Sequence, residues 1–569
     1  MTLTRPPEKS FLQRYLPIID WLPGYRWGKD LRWDVIAGLT VWALLIPEAV
    51  AYAGIAGVPP QAGLYTAPLA LLGYAIFGTS KHLFVGPSST VAIVSASILG
   101  GLVAGSSADF WAATSWLAIV TGIVLVVLGV IRMGWVANFM ARPVLDGFII
   151  GLAITIIVGQ LGKMMGVEEE GDNTLEEFGS VVGQVSDWQV ATMLVGFGSL
   201  AALFAVKRFF PRIPGALAVV TVSILISGAL DFEERGIAVV GDIPAGLPPI
   251  GIPAWPEGLP VSDVVVGALA ITIVAYAESL AAAKTYARKY GYVVDSNQEM
   301  VGLGVANLGA GVSQGFVVSG SLSKTAAAVN GGQKTQLAGL VAAAVTVVTL
   351  LFLTGLFFYL PEATLGAIVV NAVWELISPH KLRRMWRVRH ADFVGGFAAL
   401  LGVLVFGILQ GILIGVVLSL LILIYRASFP SAHELRRISF EERQAWVSVD
   451  EFPQSAAVPG VVVHRFSSSL IFSNADAFVA SVLEMIYDAD PAARALVIDG
   501  EMMSIVDMTG AEQLGEVVVQ LRQHGIDVHL ARLHGSAQRV AERAGVIDTI
   551  GAEHVHLSVN AAVMAAQRA

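Results

Sequence analysis

Glu278 lies inside the apolar run Val264–Ala283. A carboxylate in hydrocarbon costs about 2.5 kcal/mol or more, so it faces a protein interior or a wet cavity. It is either a neutral packing carboxyl or a protonatable, cation-binding group on a transport path, and the rest of the chain favours the second. Glu48 is another acid in an apolar stretch, Ile46-Pro47-Glu48-Ala49-Val50-Ala51-Tyr52. It can pair with Lys324, bind a proton or line a wet vestibule. Tyr52, one helical turn on, offers its ring and hydroxyl to the same cavity. Lys324 either snorkels to an interface or adds a full positive charge to a buried site.

Two segments can present backbone amides to an anion. One is Phe84-Val85-Gly86-Pro87-Ser88-Ser89-Thr90-Val91-Ala92, the other Phe316-Val317-Val318-Ser319-Gly320-Ser321-Leu322-Ser323-Lys324-Thr325-Ala326. Each reads as a short β-like run, then small hydroxyl residues, then an apolar helix. A helix start leaves backbone N–H groups free, and Ser beside them adds hydroxyls. Two such starts facing each other make an anion site from partial charge. The expected substrate-binding set is therefore Glu48, Tyr52, Ser88, Ser89, Thr90, Ser321, Leu322, Ser323 and Lys324, with Glu278 as the cation-coupling group.

These segments sit in a chain that is mostly membrane. It has 569 residues, 55% hydrophobic and 14% charged, against about 25% charged in soluble proteins. Apolar segments recur from about Val35 to about Ile424, about fourteen in all. The first residues, MTLTRPPEKSFLQRYLP, lack the apolar core of a cleavable signal. Cysteine is absent, so disulfides and thiolate metal sites are excluded, and the net charge of -9 argues against nucleic acid as a partner. No cofactor motif, metal triad, nucleophile–base pair or phosphate loop stands out, so no enzyme activity is expected.

The loops sort by charge. Basic loops hold Lys81-His82, Lys207-Arg208…Arg212, Lys284…Arg288-Lys289 and His380-Lys381-Leu382-Arg383-Arg384…Arg387…Arg389-His390; acidic loops hold Glu168-Glu169-Glu170…Asp172…Glu176-Glu177 and Asp231…Glu233-Glu234. By the positive-inside rule the basic set, the N-terminus and the C-terminal part are cytoplasmic, in a multi-pass cell (inner) membrane protein. Two sets of seven spans lie in opposite orientation, the arithmetic of an inverted repeat, with the broken segments as the third and tenth spans. Gly407, Gly411 and Gly415 form a GxxxGxxxG face expected to pack helices closely.

After Tyr425 no segment spans a bilayer. β-like runs (Gly460–His464, Ala495–Ile498, Asp527–Leu530) alternate with amphipathic stretches (Ala475–Tyr487, Ala511–His524, Ala537–Ala544). The division is a membrane domain over 1–430 and a soluble α/β domain over 443–569, linked by Arg426–Glu442.

The motifs resemble the sulfate permease family of anion transporters. Pro59-Pro60-Gln61-Ala62-Gly63-Leu64-Tyr65-Thr66-Ala67 looks like its first-repeat signature. Glu278-Ser279-Leu280 with Asp295-Ser296-Asn297-Gln298-Glu299 looks like its eighth span and the loop that follows. Gln314-Gly315-Phe316…Thr325-Ala326 and Gly332…Lys334-Thr335-Gln336-Leu337-Ala338-Gly339 look like its tenth-span motif. Val497-Ile498-Asp499 before Val506-Asp507-Met508-Thr509-Gly510 resembles a STAS domain.

The resemblance implies a polytopic helical fold of two inverted seven-span repeats. A core (spans one to four and eight to eleven) would move against a gate (spans five to seven and twelve to fourteen) in an elevator-type cycle within a homodimer. It places the anion between spans three and ten and ties a carboxylate on span eight to cation coupling. Where many members have Gln this chain has Glu48, and where many have Arg it has Lys324. Sodium-coupled members pair Asp with Thr on span eight; Glu278 and Ala282 stand here, which favours a proton over sodium. Thr509 matches a phosphorylated hydroxyl of related antagonist proteins, which makes Asp507 and Thr509 regulatory candidates; either residue can instead cap the helix that follows. The rival classes are a nucleobase transporter and a membrane-anchored STAS regulator.

Overall fold

The computed structural model describes residues 16–568 except 104–105, 136–141, 169, 172, 211–213, 375, 441–442 and 490–491. Residues 1–15 of the N-terminal stretch and Glu169, Asp172, Arg212, Glu441 and Glu442 lie outside the described residues. The chain divides into two compact units, Met1–Ser419 and Leu420–Ala569.

The first unit opens with α1 (Trp27–Ile55), α2 (Pro60–Phe77), β1 (Phe84–Pro87), α3 (Ser89–Gly100), α4 (Ser107–Val130), α5 (Arg142–Val158), α6 (Thr174–Gly183), α7 (Val190–Phe209) and α8 (Gly215–Leu230). It continues with α9 (Val261–Tyr290), α10 (Ser296–Val312), β2 (Val318–Ser321), α11 (Leu322–Asn330), α12 (Leu337–Phe352), α13 (Glu362–Trp374), α14 (Pro379–Val388), α15 (His390–Phe406) and the first part of α16 (Ile408–Ser428), a helix that runs past the boundary at Ser419. The second series repeats the first. Each has two helices, a short strand leading into a broken third, two more helices, an amphipathic helix (α6 or α14), then two last helices. α6 begins with Glu176 and Glu177, whereas α14 reads Pro-His-Lys-Leu-Arg-Arg-Met-Trp-Arg-Val. Equivalent helices of opposite charge are what an inverted repeat requires if one lies on each side of a membrane. By length and apolarity alone, α1, α4, α5 with its extension to Met165, α7 and α9 can each cross a bilayer.

Packing is pseudo-symmetric. α4 lies on α10 and, with the halves exchanged, α12 lies on α2; α5 lies on α15, and α13 on α7. Glycine permits the tightest approaches. A Cβ on Gly147 of α5 would stand 1.8 Å from the Gly396 oxygen of α15, and one on Gly304 of α10 would stand 2.8 Å from the Gly122 oxygen of α4. The expected GxxxGxxxG face is corrected in part. Gly407, at φ 91°, is the turn between α15 and α16, a conformation that favours glycine. Only Gly411, against Val403, and Gly415, against Val144, make close helix contacts.

The second unit is a six-stranded mixed sheet in the order β4-β3-β5-β6-β7-β8. Its elements are β3 (Ala432–Phe440), β4 (Arg443–Ser448), β5 (Val461–Phe466), α17 (Ala475–Tyr487), β6 (Ala495–Asp499), α18 (Met508–Gln523), β7 (Asp527–Ala531), α19 (Gly535–Arg543), β8 (Val555–His556) and α20 (Val559–Ala566). β5 to β8 run parallel and β3 pairs antiparallel with both β4 and β5. The stretch 426–442 is therefore not a plain linker: Arg426 closes α16 and 432–440 is a strand. Alternating Val, Phe and Leu side chains of the central strands bury against α17 and α18.

His464 on β5 is fully buried against Phe466 and Phe478, with Nε2 2.9 Å from Ser481 Oγ. Burial pushes its imidazole from an ordinary 6.5 down to about 4. The folded unit keeps it neutral while the unfolded chain binds a proton. Stability is thus complete above pH 6.5 and falls between pH 6.5 and 4, by about 3 kcal/mol in all. Hydrogen exchange of the 461–466 peptide in the full-length protein, corrected for intrinsic rates, should accelerate over that window. His464→Leu should flatten the dependence; an unchanged profile would show that another group carries it.

Candidate functional site

The two broken segments meet. β1 and β2 pair antiparallel, with Phe84 opposite Ser321, Val85 opposite Gly320, Gly86 opposite Ser319 and Pro87 opposite Val318. α3 and α11 leave this ribbon, one from each strand end. Ser88 is the N-cap of α3 and its side chain makes no capping bond, so the amides of Ser89, Thr90 and Val91 have no intrahelical acceptor. Ser321 caps α11 by accepting from Lys324 N at 3.3 Å, and its hydroxyl lies 3.0 Å from Ser323 Oγ. Ser88, Ser89, Thr90 and Ser321 are buried, whereas Leu322 and Ser323 are exposed, so the α11 start opens to one side.

Strand-like backbone at this depth requires partners for its polar groups, and neighbouring helices supply them. Ser279, adjacent to Glu278 on α9, accepts from Gly320 N at 2.7 Å. Asn307 of α10 accepts from Val318 N at 2.9 Å and donates to Val318 O at 3.1 Å. Thr325 Oγ1 accepts from Phe84 N at 3.0 Å and donates to Ser321 O at 2.6 Å.

Lys324 is 2% exposed and reaches from α11 to the start of α3. Its Nζ donates to the Pro87 carbonyl at 2.9 Å, sits 2.5 Å from Glu48 Oε2 and lies 5.2 Å from the centre of the Tyr52 ring. Tyr52 also interacts through its hydroxyl with Ser89 and Glu48. Of the alternatives for Glu48, the structure selects pairing with Lys324, and Lys324 does not snorkel outward. Glu278 lies within electrostatic reach of Lys324, with its Oε2 buried and the Ser319 hydroxyl beside its carboxylate. The expected residues thus converge on one place, joined by α1, β1–α3, α9 and β2–α11.

Two carboxylates that hold this frame were not singled out for that role. Glu299, fully buried on α10, accepts from Tyr74 OH at 2.7 Å, Thr79 N at 2.7 Å, Thr79 Oγ1 at 2.5 Å and Ser80 N at 2.8 Å. Asp34 on α1 accepts from Lys334 N at 2.6 Å, Thr335 N at 3.1 Å and Thr335 Oγ1 at 2.8 Å. They clamp the loop before β1 and the loop after α11. An acid at each end of the apolar stretches was the readable signal.

In the second unit Asp507 is the N-cap of α18, accepting from Gly510 N at 2.8 Å and from Phe472 N at 2.8 Å. Thr509 is exposed in the first turn. Capping therefore falls to Asp507, and the Thr509 hydroxyl stays accessible.

A model of the sulfate permease family matches residues 31–399, and a STAS domain model matches 453–562. A probable sulfate transporter of Mycobacterium tuberculosis H37Rv is 34% identical over 96% of this chain and 98% of its own. A probable sulfate transporter of Arabidopsis thaliana is 28% identical over 97% of this chain and 84% of its own. The murine solute carrier 26 member A9 anion transporter, in an inward-facing state, superposes with a TM-score of 0.89 at 25% identity, over 100% of this chain and 96% of that one. The transmembrane domain of a cyanobacterial bicarbonate transporter shares the fold, with a TM-score of 0.60 at 21% identity over 69% of this chain and 97% of that one. On the strength of the paired half-helices and these matches, the chain belongs to the sulfate permease family, multi-pass membrane transporters of small anions, and carries a C-terminal STAS domain.

Proposed function

We propose that the protein is a secondary active symporter of a small anion such as sulfate, bicarbonate or a dicarboxylate, with a proton as the coupled ion. The observation that carries this reading is one buried lysine flanked by two acids between two half-helix starts. The anion would take amides and hydroxyls from Ser88, Ser89, Thr90, Ser321, Leu322 and Ser323, with Tyr52 closing one side. Glu48 already neutralises Lys324, so an anion competes with Glu48 for the ammonium. A proton on Glu48 removes the competitor, and Glu278 is the second group able to take one. The names of the relatives make sulfate the first substrate to try. α1–α4 with α9–α12 would move as the core of an elevator against α5, α7, α8, α13, α15 and α16, in a homodimer with the N-terminus and STAS domain in the cytoplasm.

A sodium-coupled or exchange reading keeps one observation in its favour. Ser319 Oγ stands beside Glu278 and can supply the hydroxyl that Ala282 lacks. The deciding measurement is uptake of labelled anions by purified protein in liposomes under imposed pH or sodium gradients. Glu278→Gln should abolish accumulation driven by a pH gradient while counterflow exchange persists. A variant that still concentrates substrate under that gradient removes Glu278 from coupling.

Lys324→Ala should raise the apparent substrate constant by about one to two decades, the loss of a charge-assisted hydrogen bond of about 1.5–3 kcal/mol. Glu48→Gln should keep binding and lose its dependence on pH. If Glu48→Gln binds more weakly than Lys324→Ala, the competition between anion and Glu48 is wrong.

The STAS domain is proposed to support folding, dimer geometry or trafficking. A phosphate on Thr509 would add about -1.5 to -2 charge at a helix N-terminus, where the dipole tolerates it. Deleting the chain after about Ser431 should lower expression or rate and leave the order of anion preference unchanged. An altered order would bring the domain into recognition.

A further inference from the structure

At the edge of the C-terminal sheet, Asp527 and His529 stand two residues apart on β7 and so share one face. His554, in the turn before β8, and His556, on β8, close over the same face. His529 Nε2 is 3.0 Å from Asp527 Oδ2, and His554 Nε2 is 3.2 Å from Asp527 Oδ1. One ligating atom from each of Asp527, His529 and His554 can be chosen so that all lie within 4.8 Å of one another. Tetrahedral zinc with bonds of about 2.0–2.2 Å sets its ligand atoms about 3.3 Å apart. We propose that Asp527, His529 and His554 form a binding site for a divalent transition ion of the zinc class.

A second observation points the same way. His529 is 3% exposed, yet its Nε2 has no aligned hydrogen-bond partner although a carboxylate oxygen is 3.0 Å away. A buried ring nitrogen close to a carboxylate oxygen but not aligned on it suits a cation held between the two. The outer contacts also suit metal ligation. Bound histidines usually give their other ring nitrogen to a hydrogen-bond acceptor. His529 Nδ1 meets this with a contact of 3.0 Å to His556 Nε2, whereas His554 Nδ1 makes no hydrogen bond and stands 3.3 Å from the Glu553 carboxylate. Asp527 Oδ1 also accepts from Val528 N at 2.9 Å, which fixes the carboxylate. Mixed imidazole and carboxylate donors select zinc, cobalt or nickel over magnesium and calcium. Three protein ligands leave a fourth position open, and Asp527 and His554 are partly exposed. The ion would staple the turn at 552–554 and the two-residue strand β8 to β7. The pattern Asp527-Val528-His529…His554-Val555-His556 was the readable signal, hidden by the helices between its halves.

The test is Co2+ titration of the full-length, tag-free protein in detergent. The expected result is one Co2+ per chain with the intense visible absorption of a four-coordinate site, displaced by Zn2+ and indifferent to Mg2+. His554→Ala, at a partly exposed position, should lose that spectrum. His556→Gln should weaken binding about 10–100-fold, as loss of an outer-shell partner does. Zn2+ should slow hydrogen exchange of the 552–556 peptide in wild type and not in His554→Ala. Absence of the spectrum in wild type, or the same uptake and exchange in His554→Ala, would overturn the proposal.

Discussion

The antiparallel pairing of β1 with β2 is the contact on which the rest of the membrane unit depends. It joins residues more than two hundred positions apart at the point where each repeat breaks its third helix. Breaking a helix in an apolar bundle frees backbone groups that cost several kcal/mol each when unsatisfied. The two breaks satisfy each other, and Ser279, Asn307 and Thr325 take up most of what remains. The small side chains around the ribbon follow from the same constraint: a Cβ on Gly320 would stand 2.8 Å from Leu83 and 3.0 Å from Ser279. A pair of helix starts thereby becomes a fixed object instead of two frayed ends.

The charge balance around that object sets its chemistry. A buried lysine without a partner would be strongly unfavourable, and an unopposed one would hold an anion too firmly to release it. Glu48 at 2.5 Å and the Pro87 carbonyl at 2.9 Å compensate Lys324. In the proposed cycle the compensation is adjustable, because the carboxylate can be removed electrostatically by one proton. A Gln at position 48 would leave the lysine permanently unopposed, so the departure from the common family residue carries mechanistic weight.

Much of this was legible in the chain. Apolar runs, loop charges and the two Gly-Ser segments anticipate the repeat, because each reports a local physical preference. The α17 boundaries agree with the amphipathic pattern at both ends, Ala475 and Tyr487. The partnership of Glu48 with Lys324 stayed open, since three readings of one acid in an apolar helix are equally consistent with sequence. β3 was read as a linker because Arg426–Glu442 is basic and polar, and an edge-side strand paired to β5 needs only three ladder partners, Ala432 to Glu434, to be fixed. Asp34 and Glu299 were legible as acids at the ends of apolar stretches but not as clamps, because the amides and hydroxyls they bind, from Tyr74, Thr79, Ser80, Lys334 and Thr335, lie more than two hundred positions away in the chain. The Asp527 cluster was invisible because register between β7 and β8, not spacing along the chain, brings its halves together.

The inverted repeat makes the two half-helix starts equivalent in backbone but not in side chain. The α3 start is uncapped and buried, with bare amides. The α11 start is self-capped by Ser321, carries the lysine and exposes Leu322 and Ser323. Backbone dipoles alone would attract an anion alike from both helices and carry no handle for a second ion. Placing every titratable group nearest the site on α1, α9 and α11, and none on α3, divides the labour. In the proposed cycle one half-helix would offer a constant attraction, and the other an attraction that protonation can switch. Coupling in that cycle would therefore arise from divergence between repeats whose backbones remain matched.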